Sequence, residues 1–283
     1  VIESEFKMPY SESYHEETDS LSCTQFKLFV HSPLEYYHTF ITKKLAKKEA
    51  TRFTEVGKVV HAITLEKKSL DDLVRVYPSS CMNKKDGLIG SAAAEFREKI
   101  FPVVAMKEDQ IEQIEKVVAA VYSSDLGPIV NSGAKFEERL DAIVEGVACR
   151  CKIDIHSVFE DMVRIWDVKT TERIAPADWN RTAKQFGYPI QDAFYSLIAE
   201  THYGLPSVFR FWAVETVKLY RVETRWFDER SREIAKDFVR KKLKEFAARK
   251  ESGNWNDGWE PTMVVGPWDF NEGNDDEVVE FEG

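Results

Sequence analysis

The stretch "RIWDVKTTERIAP", residues 164–176, closes an apolar strand-like run with Asp167 and Lys169, two residues apart, followed by Thr170 and Thr171. Successive strand residues point to opposite faces, so Asp167 and Lys169 share a face with Ile165, while Trp166 and Val168 face the other way. Just upstream, residues 147–155 place Val147, Cys149, Cys151, Ile153 and Ile155 on one face and Arg150, Lys152 and Asp154 on the other. If the two strands are antiparallel neighbours, Asp154 and Asp167 approach each other at one end of a sheet. Two carboxylates and an ammonium in one place suit metal-assisted phosphodiester hydrolysis. Mg²⁺ takes oxygen ligands and keeps several waters. A nearby lysine can orient or deprotonate the attacking water and offset charge on the phosphate. The same acid–base spacing also fits a structural pair on a solvated strand.

Working outward, "AKFEERLDAIV" and "VACRCKIDIHS" flank Glu145-Gly146, which predicts a β-hairpin with Glu137 in its first strand. "SVFRFWAVET" and "YRVETRWF" also have strand character. Between the charged strand and these lies a helix or loop around Pro176 to Trp179, then the helix "YPIQDAFYSLIAETHY", on which Gln191 and Tyr195 share a face beside the Ile190, Phe194, Ile198 stripe. Nearer the N-terminus, Ser22 and Gln25 form a capping box before Phe26, Phe29 and Val30, and Ser32-Pro33 with Glu35 repeats the device. "TEVGKVVHAITLE" predicts a third helix capped by Thr54, with Gly57 and His61 on one face. Residues 78–95 are polar and broken, 107–124 form an amphipathic helix, and 126–133 are expected to be a loop. The closing helix, residues 229–250, is expected to bury Ile234, Phe238 and Phe246, with Arg240, Lys241, Lys242 and Lys244 facing a DNA backbone or solvent.

Neither an internal repeat nor a Pro-, Gly- or Ser-rich linker divides the 283 residues. The expectation is a single α/β domain: an irregular segment (1–19), a mainly helical section (20–125), a sheet-and-helix core (134–250) and an acidic tail (271–283). A hydrophobic content of 43% supports a real core. No apolar run is long enough to span a membrane and no signal-peptide layout opens the sequence, which suggests a soluble, cytoplasmic protein. The net charge of −10 argues against bulk electrostatic adhesion to nucleic acid but leaves room for a local basic groove. Four scattered cysteines without a Cys-x-x-Cys pair suggest buried thiols and give no support for zinc.

Taken in order, "GKVVH", a strand glutamate, "CRCKIDIH", "WDVKTT" and "YPIQDAFYS" resemble the RecE type of exodeoxyribonuclease (exonuclease VIII) in the PD-(D/E)xK nuclease superfamily, as does the opening "LSCTQFKLFVHSPLEYY". The resemblance runs through most of residues 20–245. It implies a restriction-endonuclease-like core, a central mixed β-sheet flanked by helices. It further implies that His61, Asp154, Asp167 and the backbone carbonyl of Val168 bind the metal. Lys169 would be the catalytic lysine, with Gln191 and Tyr195 steadying it or the DNA end, and Glu137 an additional acid that could give way to Glu138. Thr170 and Arg150 are expected to meet the DNA. The implied activity is Mg²⁺-dependent digestion of double-stranded DNA ends, 5′ to 3′, with Mn²⁺ able to substitute, in recombination or phage DNA processing. A homo-oligomeric ring and a single-strand annealing protein are implied partners. Some relatives carry an iron–sulfur cluster on cysteines beyond the Gln-x-x-x-Tyr helix; no cysteine follows Cys151, so no cluster is expected. Two rivals stand beside this reading: an endonuclease or single-strand-specific nuclease with the same motifs, and a non-catalytic DNA-end-binding accessory protein.

Overall fold

In the computed structural model, which describes residues 17–46, 52–83, 85, 87–130 and 132–258, Ser22 ends a two-residue strand and caps a helix. The strand is β1 (Leu21–Ser22) and the helix α1 (Cys23–His31). Its capping box is as the sequence predicts: Gln25 N–H donates to the Ser22 hydroxyl, and Ser22 N–H to the Gln25 side chain. Ser32 then caps a short turn, Pro33–Tyr36. The next helix, α2 (Arg52–Thr64), already contains Thr54, so Thr54 is not its cap. Strand β2 (Val74–Val76), helix α3 (Gly90–Ile100) and strand β3 (Val104–Met106) follow, with β2 and β3 forming a small parallel sheet. The amphipathic helix α4 (Glu108–Ser123) buries Ile114, Val117 and Val121. Residues Leu126–Val130, expected as a loop, form a short helix. The proposed acidic tail and most of the N-terminal segment lie outside the described residues.

The main sheet is mixed. Strands β4 (Lys135–Val144) and β5 (Val147–Val158) form the predicted hairpin, with Glu145 and Gly146 both in the left-handed region at φ 50° and 77°. Strand β6 (Val163–Thr171) runs antiparallel to β5, and two helices, α5 (Pro176–Phe186) and α6 (Tyr188–Tyr203), connect it to the parallel strand β7 (Ser207–Glu215). Strand β8 (Val222–Arg225) pairs with β7, and α7 (Glu229–Ser252) closes the chain.

Helices lie on both sides of this sheet. One core packs α1, α6 and α7 against it through Phe26, Phe194, Phe209 and Phe211; each such ring contributes about 1.5–3 kcal/mol on burial. The other packs α2 and α4 against Val168, Trp212 and Val214. On α7, Val239, Leu243 and Phe246 face inward, while Ile234 is 55% exposed, contrary to the sequence expectation. Three of the four cations expected to face outward are paired: Arg240 with Asp237, Lys242 with Glu245, and Lys244 with Glu145 of the hairpin turn.

Two departures from ideal strand pairing open the sheet where Asp154 lies. First, β5 keeps β4 on one edge throughout, while its other edge meets β1 at Cys149–Arg150 and β6 only from Ile155 onward. A gap remains between β1 and β6. Second, the alternation of faces slips. Ile153 belongs to the α6 side and Ile155 to the α2 side, although both are odd-numbered positions that the period-two reading put together. The slip falls at Asp154 and at Glu137, which lies opposite it in register, makes no ladder pair and has φ 51°. A non-glycine residue in that region costs of order 1–3 kcal/mol and points to a constraint imposed by the site.

Candidate active site

The gap holds a cleft of about 240 Å³, with residues Ser22 to Thr24 at the head of α1 on one wall and Asp167 and Lys169 on the other. Three elements bring its acids together. Gly57 lets α2 lie directly on β6, since a Cβ there would fall 2.6 Å from Thr170 Oγ1. One turn later His61 Nε2–H donates to the Val168 carbonyl at 2.9 Å. The amide of the same Val168 donates to Asp154 Oδ2 at 2.8 Å, tying β6 to β5 where their ladder ends.

With Nε2 donating, His61 turns Nδ1 toward Asp154 Oδ2 at 3.8 Å and Glu137 Oε1 at 3.9 Å. Ligand atoms of His61, Glu137 and Asp154 all lie within 4.8 Å of one another. His61 Nδ1 and Glu137 Oε1 are buried and have no hydrogen-bond partner. Unpartnered lone pairs that converge in a cleft are what a cation requires, and this ligand set fits a hard or borderline divalent ion with its own waters. Protons fill the role otherwise. Burial raises Asp154 to about 7, reinforced by Asp167 and Glu137. For His61, burial acts downward but is outweighed by Asp154, Glu137 and the Val168 carbonyl, so its pKa rises to about 9.

Asp167 is differently engaged. One oxygen accepts from Gln191 Nε2 at 2.6 Å and the other faces Lys169 Nζ at 2.5 Å. It lines the same cleft but stands outside the group of His61, Glu137 and Asp154 whose ligand atoms lie within 4.8 Å of one another. Lys169 also lies over the Tyr188 ring at 5.4 Å. Burial works against its charge, but Asp167 and Asp154 more than compensate and hold the ammonium protonated.

The sequence left Glu137 and Glu138 as alternatives. Glu137 faces the cleft, whereas Glu138 points to the other side and meets Lys135, His156 and Tyr203. Gln191 and Tyr195 both line the cleft, and the Val168 carbonyl, though engaged by His61, keeps a second lone pair. Arg150 is a correction. Its side chain is fully buried beneath residues 17–20, donating to the carbonyls of Ser20 and Glu17, and presents no surface to DNA. The Thr170 hydroxyl lies against Gly57, on the face opposite Lys169, and packs rather than projects. Lys152 was not singled out in the sequence. It pairs with Glu137 in the cleft, and its position two residues before Asp154 mirrors Lys169 two residues after Asp167.

Residues 22–260 match the family described as a PDDEXK-like domain of unknown function (DUF3799). The chain belongs to this PDDEXK-like family. Its fold is similar to the crystal structure of a candidate exonuclease from Eubacterium rectale, with a TM-score of 0.60 and 14% identity over 94% of this chain and 99% of that one. At that identity the likeness concerns the fold. No curated protein matches the sequence. The PDDEXK-like chain thus carries a nuclease fold, a central mixed sheet flanked by helices, with an acid cluster suited to a divalent metal. No described helix is long and apolar enough to cross a membrane.

Proposed function

We propose that the chain is a divalent-metal-dependent exodeoxyribonuclease of the RecE type, digesting linear duplex DNA from its 5′ ends and leaving a 3′ single strand for recombination or phage DNA processing. Mg²⁺ is the proposed ion, with Mn²⁺ able to replace it. The observation that carries this reading is the meeting of His61 Nδ1, Glu137 and Asp154, with Nδ1 and Glu137 Oε1 unpartnered, beside a lysine held charged.

In this reading His61, Glu137 and Asp154 hold the ion, which when bound would polarise a phosphoryl oxygen and acidify a water. Lys169 neutralises charge that builds on the phosphate and orients the attacking water; its ammonium is already committed to the protonated form. Asp167 and Gln191 fix the lysine's position, which a flexible four-carbon side chain would not keep alone. Tyr195 lies on the cleft wall, where it can meet the sugar or base at the DNA end. Contacts of this kind read backbone rather than sequence, so cleavage is expected to be unspecific. A ring of identical subunits and an annealing protein as partner belong to the same proposal.

The test is digestion of end-labelled linear duplex and closed-circular duplex with Mg²⁺, wild type beside Lys169→Ala. Label release from the linear form alone, lost in the variant, is expected. Cutting of the closed circle would make the enzyme an endonuclease, and full activity of Lys169→Ala would overturn the mechanism.

A further inference from the structure

On the α2 side of the sheet, a belt of aromatic rings and cations crosses the strands at the margin of the core that α2 and α4 cover. Ile155 and Trp212 are buried in that core, Phe136 and Trp166 are half-buried against it, and Trp226 and Phe159 are exposed. Phe136 of β4 pairs with Ile155 of β5, Ile155 with Trp166 of β6, and Trp166 with Arg210 of β7. Trp226, just past β8, stands beside Arg210. Trp166 stacks on Trp212 at an interplanar angle of 4°. The belt is about 19 Å wide, four strand spacings.

Its cations are distinctive. The guanidinium of Arg210 lies 4.3 Å from the centre of the Trp226 ring, that of Arg164 lies 4.6 Å from Phe159, and Lys67 Nζ lies 5.3 Å from Tyr122 and 5.8 Å from Phe136. None of the three pairs with a carboxylate among the described residues. Glu160 and Asp161, in the turn that carries Phe159, are exposed and bridge to none of them. Elsewhere in this acidic chain, Arg139, Arg221, Arg232, Lys236 and Arg249 each have an acid partner. Trp226 is 58% exposed and Phe159 43%, so the rings remain open to a ligand.

Unpaired cations resting on exposed rings complement a flexible polyanion with flat bases: phosphates meet the guanidinium edges and bases stack on the rings. We propose that this sheet face binds single-stranded DNA. Under the nuclease reading, on which the source of the strand rests, the ligand is the strand left uncut. Phe136, Ile155 and Trp166 are the chain neighbours of Glu137, Asp154 and Asp167. Since Trp166 faces the side of β6 opposite Asp167, a strand leaving the cleft reaches the belt by passing to the α2 side of the sheet.

The test separates binding from hydrolysis. Full-length protein in EDTA is titrated with an oligothymidylate of about 20 nucleotides, following tryptophan quenching and the anisotropy of a labelled strand. Quenching is expected, with affinity falling steeply as salt rises. Arg164→Glu/Arg210→Glu should weaken binding about tenfold or more, and Trp226→Leu, which keeps the charges, should reduce the quench and weaken binding several-fold. With Mg²⁺ restored, both variants should hydrolyse a short duplex at rates within about twofold of wild type, which also shows that they fold. Unchanged oligonucleotide affinity in both variants would overturn the proposal. So would a change in sedimentation instead of DNA affinity, or preference for an oligouridylate. Belt-dependent binding by a protein that hydrolyses nothing would retain the surface and sink the nuclease reading.

Discussion

Arg150 on β5, fully buried, and Lys169 on β6, half-buried, are both cations beside an acid, and they do opposite things. Arg150 is sealed: the chain at residues 17–20 folds over it, its donors meet two carbonyls and a hydroxyl, and Glu17 completes an ion pair with Arg139 above it. The Arg139 hydrogen bond, against some burial and with help from Ser20 and Arg150, holds Glu17 near about 2. Around Lys169 the balance is reversed. His61 Nδ1 and Glu137 Oε1 are buried without a hydrogen bond. Charge burial alone therefore does not mark the site. An excess of acceptors over donors does, because an added cation, or protons in its place, must satisfy it.

The largest effect that would break this contrast is Asp154→Asn. It should lower hydrolysis by about a thousandfold, since it removes a metal ligand and the charge beside it. It should also raise the melting temperature of metal-free protein above pH 7, because a carboxylate pushed to about 7 by burial and neighbouring acids is charged there at a cost to folding. A fall in melting temperature would show that Asp154 serves structure. Arg150→Ala should do the reverse. Losing one side of a buried charged network should cost about 3 kcal/mol in urea unfolding, while activity per folded molecule is retained. Loss of activity without loss of stability would return Arg150 to the DNA-contacting role.

These two residues also show what the sequence can and cannot disclose. The hairpin and helix α6 were legible because local chemistry decides them: Glu145 and Gly146 adopt positive φ, and Gly187 and Gly204, at φ 61° and 69°, bracket α6 at both ends. Helix α3 was not legible, because only Ala93 of its residues is buried and no apolar stripe announces it. Period-two reasoning placed Arg150 with Lys152 and Asp154. It could not foresee that a segment some 130 positions earlier would cover Arg150, nor that the faces would slip at Glu137 and Asp154. His61, Asp154, Lys169 and Gln191 were legible as candidates because their motifs, taken in order, resemble a known family's, and the fold brings all four to one cleft. That Glu137 comes within reach of His61 and Asp154 depends on that slip and is a tertiary fact.

A pH series sharpens the contrast next. Asp154 at about 7 and His61 at about 9 both lie above their ordinary values, so the folded metal-free protein binds more protons here than the unfolded chain. Stability from these groups is therefore complete in acid and is lost as pH rises through 7 and then 9. A divalent ion competes for the same positions, so its affinity should increase over that window with release of protons. The melting-temperature gain on adding Mg²⁺ should accordingly grow from about pH 6 to about pH 9. A gain that is flat with pH would mean that the ion binds elsewhere.

The smallest expected effect tests how His61 reaches the cleft. In Gly57→Ala, a Cβ would come 2.6 Å from Thr170 Oγ1, so α2 must lift from β6 or Thr170 must turn. Lifting the helix draws His61 Nε2 off the Val168 carbonyl, the bond that aims Nδ1 at Glu137 and Asp154. Outer contacts of this kind are worth about tenfold or more in metal affinity. Replacing Thr170 with alanine as well removes the obstructing hydroxyl, and Thr170 Cβ, at 3.9 Å, is in ordinary contact range. Gly57→Ala/Thr170→Ala should therefore recover most of the Mg²⁺ affinity that Gly57→Ala loses, while Thr170→Ala alone changes it little. Additive losses in this double-mutant cycle would mean that Gly57 acts through something other than its approach to β6, and that Thr170 has a part in the cleft itself.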